Sequence, residues 1–196
     1  MSRTTYEILE IIYALKRQKK IIYGMGILFL ASFIISYILM VLNISLVNNF
    51  GKIVLTQFSA YLNLKDITNM SQMDIFFTIV THNLFTGMLI YLSNMFSILP
   101  ITFNAFILAY VLYISNPLIF ILLILPHGII EIPALLLCSS AGIVLFTSIV
   151  YRLKGNKYLA HMQFMDSLRI LLISTILFIF AGIIESFITF KIKTLL

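Results

Sequence analysis

His127 and Glu131 stand one helical turn apart in the run from Leu118 to Val150, 33 residues in which Cys138 is the only other titratable group. An imidazole and a carboxylate at that spacing can relay a proton, share a hydrogen bond or contribute to a metal site. An ionisable side chain deep in an apolar segment is by default a functional-site candidate. Glu185 adds a second carboxylate in the last apolar run, and His82 and Asn83 add polar groups in an earlier one. The familiar enzymatic patterns are missing: there is no His-Glu-x-x-His, no Gly-x-Ser-x-Gly and no glycine loop for phosphates. His127 and Glu131 alone are too few to ligate a metal. No catalytic residue, metal or cofactor is therefore expected, and the chain reads as a non-enzyme.

The elements that must carry these groups follow from prolines and glycines. A run of 33 residues exceeds one ordinary span of about 20, so a break is expected. Pro126-His127-Gly128 offers a turn, because proline donates no backbone hydrogen bond and glycine tolerates turn geometry. Pro133 then falls in the first turn of the next helix, where its missing N–H costs little. On a continuous helix His127, Glu131, Ala134, Cys138 and Gly142 would share one face. Its small residues would let a neighbouring helix approach closely in lipid. That face suits either an internal contact or association of copies into a homo-oligomer.

With 61% hydrophobic and 10% charged residues, the 196-residue chain is too apolar for a soluble domain and reads as a multi-spanning membrane protein. Backbone in lipid must satisfy its own hydrogen bonds, so the spans should be helices and the fold class all-α, a polytopic bundle. The net charge of +6 lies largely beside the spans, where it sets orientation, and does not point to nucleic acid. A single cysteine, Cys138, excludes an intrachain disulfide.

Residues 1–20 have apolar positions at helical spacing and end in Lys16-Arg17-Gln18-Lys19-Lys20. They read as a basic amphipathic segment lying on the cytoplasmic surface of the cell membrane. Residues 21–196 form one integral domain in contact with the bilayer, with spans expected at 21–47, 75–99, 101–125, 130–151 and 168–190. Between the first two spans, Val54, Phe58, Tyr61, Leu62 and Leu64 suggest a short outer helix. A break or kink is expected at Asn116-Pro117, which would make Leu118–Pro126 a half-helix. A second surface helix is expected around Tyr158, Met162 and Met165, with His161 and Asp166 in water. On this topology His82, Asn83, His127, Glu131 and Glu185 all lie in the outer half of the membrane. If Glu131 and Glu185 meet, the pair could pass a proton, hold a cation or share a hydrogen bond.

The stretch Leu125-Pro126-His127-Gly128-Ile129-Ile130-Glu131-Ile132-Pro133-Ala134, with Ser140-Ala141-Gly142 beyond it, resembles the stage II sporulation protein M family of multi-pass membrane proteins. Ala181-Gly182-Ile183-Ile184-Glu185-Ser186-Phe187-Ile188-Thr189 is a second match, and Asn83 with Gly87, and Asn104, are weaker ones. The resemblance runs from about Thr81 to the end of the chain. His82 replaces an asparagine usual in the family, and Ala105 replaces a glycine after Asn104. The resemblance implies a membrane core that works with protein partners, as the namesake does with wall-remodelling proteins during engulfment. A non-enzymatic scaffold or component of a membrane complex is thus the leading expectation. The alternative is a transporter or channel built on a polar site around Glu131 and Glu185, and an intramembrane hydrolase ranks third.

Overall fold

A computed structural model describes residues 3–61 and 70–189, all of them helical apart from short turns. The helices are α1 (Arg3–Val41), α2 (Ser45–Tyr61), α3 (Gln72–Leu92), α4 (Ile98–Ile114), α5 (Pro117–Leu153) and α6 (Lys157–Ile184). A 3-10 turn at Asn94–Ser97 joins α3 to α4, and a π-helical turn at Glu185–Thr189 ends α6. Five of these helical segments, all but α2, are long and apolar enough to cross a membrane.

Residues 3–20 are not a separate surface helix, because α1 runs through Lys20–Ile21 without a break. Its 39 residues make a rod of about 58 Å, roughly twice the ~30 Å hydrocarbon layer. The first span ends at Val41 rather than Val47. The turn is made by Asn43 at φ 54°, a left-handed conformation that asparagine tolerates. Asn43 is held there by the Tyr113 hydroxyl, 3.3 Å from its Oδ1. The expected outer helix is α2; its Val54 is half-buried, whereas the side chains of Phe58 and Tyr61 and the residues Leu62 and Leu64 lie outside the described part.

α3 stops at Leu92, seven residues short of the expected Leu99, because Asn94 adopts φ 53° and turns the chain. Pro100 then sits in the first turn of α4, where no intrahelical donor is needed. The break at Asn116-Pro117 is present. Ser115 is extended, the Asn116 side chain accepts from the Leu118 N–H at 2.9 Å, and Pro117 opens α5. Leu118–Pro126 is therefore the beginning of α5, not a half-helix of its own.

The expected turn at Pro126–Gly128 does not form. α5 passes through both Pro126 and Pro133 as one helix of 37 residues, about 55 Å long. The physical reason lies in the solvent. A proline removes one backbone hydrogen bond and crowds the carbonyl four residues earlier, but a turn at this depth would expose several backbone groups to lipid, each costing more. Keeping the helix is the cheaper solution.

α5 and α6 form the long antiparallel hairpin on which the rest packs. Three serines stitch it. Ser148 donates to the Ala160 carbonyl at 2.7 Å, Ser167 to Ala141 at 2.9 Å and Ser174 to Ala134 at 2.7 Å. Each hydroxyl is buried and satisfied, as lipid requires. The small face of α5 receives α3. Cys138 donates to the Gly87 carbonyl at 2.8 Å, and a Cβ on Gly142 would lie 2.7 Å from the Tyr91 oxygen. The Ala134-Cys138-Gly142 face is thus occupied within the chain.

Candidate intramembrane polar site

α5 carries His127 and Glu131 on one face, and α6 carries Glu185 at the point where it passes into the π-helical turn. Side chains on a helix lean toward its N-terminus. Because α5 and α6 are antiparallel, Glu131 leans toward the Glu185 end of the hairpin and Glu185 leans back along it. The outcome is a cluster in which one ligand atom from each of His127, Glu131 and Glu185 lies within 4.8 Å of the others. His127 Nε2 and Glu131 Oε2 are 3.9 Å apart.

All three side chains are partly buried, and among the described residues neither carboxylate has a lysine or arginine within ion-pair distance. Two carboxylates this close repel strongly in a medium of low dielectric. They are compatible only if a proton or a cation lies between them. The continuous helix places them there. Had the chain turned at Gly128, His127 and Glu131 would no longer have shared a face.

The other two candidates on α3 stand differently. Asn83 is buried at 7% exposure on the face that packs toward α5 and α6, and its Nδ2 has no hydrogen-bond acceptor. It lies between two close approaches, Gly87 against Cys138 and the Phe178 ring, and Val80 against Gly182. His82 is half-buried on the same turn and is not a member of the His127–Glu131–Glu185 cluster. The aromatic contact of Phe76 with Phe187, centroids 6.4 Å apart, packs the start of α3 against the π-helical turn beside Glu185.

A second polar cluster was not legible as such in the sequence. Asp166, expected in water, is fully buried: it accepts from Arg17 Nε at 2.9 Å and Nη2 at 2.5 Å, and from Gln18 Nε2 at 2.9 Å. Arg169 bridges to Glu10 at 3.1 Å. This network fastens the N-terminal third of α1 to the start of α6, and so sets both on the same side of the bundle. The signal available was complementary charge at helical spacing, Glu10 with Arg17 on one helix and Asp166 with Arg169 on the other. It was obscured because a basic run beside a span also serves orientation. His161 is exposed.

These features define a polytopic α-helical membrane protein with one half-buried His/Glu/Glu cluster between two long antiparallel helices. The chain belongs to the Stage II sporulation protein M family, whose model matches residues 25–190. A Methanocaldococcus jannaschii protein described as uncharacterized protein MJ0706 is 38% identical over 196 residues, covering 97% of this chain and 91% of its own length. A second protein of that organism, described as uncharacterized protein MJ0793, is 45% identical over 76 residues, 38% of this chain and 43% of its own. No solved structure matches the chain.

Proposed function

We propose that this protein is a non-enzymatic scaffold in a membrane complex, holding protein partners at the cytoplasmic face of the cell membrane. The observation that carries this reading is the overhang of α1. The Arg17–Asp166 pair fixes one side of its N-terminal turns to α6, while Tyr6, Ile12 and Tyr13 remain between 42% and 52% exposed beyond the basic cluster. An apolar face on the turns that overhang the hydrocarbon layer, held by an ion pair whose Asp166 is buried and whose Arg17 is a third exposed, suits a protein partner. Orientation follows from charge: Lys16, Arg17, Lys19 and Lys20 share a side with Arg152, Lys154 and Lys157, which favours a cytoplasmic N-terminus.

Transport is the weaker reading. On the α5 face beyond Glu131 the side chains of Ala134 and Cys138 are fully packed, and Gly142 is pressed against the α3 backbone. The face that would have to carry a solute past the cluster is closed by helix contact. A photo-crosslinker in place of Tyr13, expressed at native level, should trap a discrete protein adduct that a Tyr6→Asp change weakens. Absence of any protein adduct, together with recovery of the chain alone from mild detergent, would reject the scaffold.

A further inference from the structure

We infer that His127, Glu131 and Glu185 form a binding site for a divalent transition-metal cation of the zinc class, half-buried between α5 and α6. α5 alone offers two ligands at a four-residue spacing; the fold supplies the third from another helix, with all three ligand atoms inside 4.8 Å. Around a tetrahedral ion at about 2.1 Å, ligand atoms stand roughly 3.4 Å apart. Closing from within 4.8 Å to that separation is a movement on the scale of a glutamate side-chain torsion.

Charge selects the ion. When both carboxylates are ionised, one divalent cation neutralises them, whereas a monovalent ion leaves one negative charge in lipid. Ligand type narrows it further. One imidazole nitrogen with two carboxylate oxygens suits zinc and its first-row neighbours better than calcium or magnesium, which favour all-oxygen shells. The Cys138 thiol is not part of the set, being committed to the Gly87 carbonyl.

One backbone feature at the cluster points the same way. α6 changes from α to π geometry at Glu185, a local irregularity that concentrates at functional sites. Three protein ligands also leave one coordination position for water.

The test is a zinc titration of the metal-stripped full chain in detergent by isothermal calorimetry, with X-ray absorption on the loaded protein. One ion per chain is expected, in a shell of nitrogen and oxygen without sulfur. His127→Gln, Glu131→Gln and Glu185→Gln should each weaken binding by at least about tenfold, while His161→Gln, an exposed histidine far along α6, leaves it unchanged. Should one of these variants fail to fold, the absorption spectrum of the wild-type protein decides by itself. Less than half an ion per chain, a sulfur-containing or imidazole-free shell, or affinity equal to wild type in every folded member of the three would overturn the inference.

Discussion

Replacing Gly142 with alanine tests a close approach of α5 to the main chain of α3. A Cβ there would sit 2.7 Å from the Tyr91 carbonyl oxygen and 3.3 Å from that of Ile90. An ordinary carbon–oxygen contact is about 3.3 Å, so α3 and α5 would have to part by roughly 0.6 Å at this point. Both obstacles are main chain, which cannot rotate away as a side chain can. Overpacking of this kind costs about 3 kcal/mol, and the better helix propensity of alanine returns about 1 kcal/mol. The net loss of about 2 kcal/mol corresponds to a fall in Tm of about 4–8 °C for a chain of this size. Gly24→Ala is the matched control, since nothing lies within 4 Å of the position its new methyl group would take and only the propensity gain remains. Thermal unfolding of both variants in one detergent is the assay. Equal Tm values for Gly142→Ala and Gly24→Ala would refute the α3–α5 contact.

Asp166→Ala should destabilise the chain by about 2–3 kcal/mol, less than a fully buried pair would cost because Arg17 is a third exposed and can rehydrate; the same thermal measurement checks it. It should also make the peptide bonds of residues 3–16 more readily cleaved by added protease than those of the wild type. Pro126→Ala and Pro133→Ala, each inside a continuous helix, should leave the fold intact and raise Tm, since each restores a backbone donor. A loss of stability in either would mean that the chain needs a turn there after all.

Much of the architecture was legible because lipid simplifies the physics. Apolar run length gave the spans, and Asn116-Pro117 gave the boundary of α5 because a capping side chain and a proline at the first helical position act locally. Pro126 and Gly128 misled for the same reason: read locally they make a turn, but the cost of exposing backbone to lipid is a property of the surroundings. The meeting of His127 and Glu131 with Glu185 followed from topology and depth. The burial of Asp166 did not, because its partners Arg17 and Gln18 are about 150 positions away and on a helix whose charges had another sufficient explanation. The serines that stitch α5 to α6 were likewise silent, since a hydroxyl in an apolar run can bond its own helix as readily as a neighbour.

The arrangement of α5 against α6 around the acidic pair is reached most directly by a double-mutant cycle on Glu131→Gln and Glu185→Gln, followed by thermal unfolding with metal chelated. Carboxylates whose oxygens lie within 4.8 Å in a medium of low dielectric should give a combined change that departs from the sum of the single changes by at least about 1 kcal/mol. Additivity within about 0.5 kcal/mol would place the two acids apart and contradict the packing of the hairpin described above.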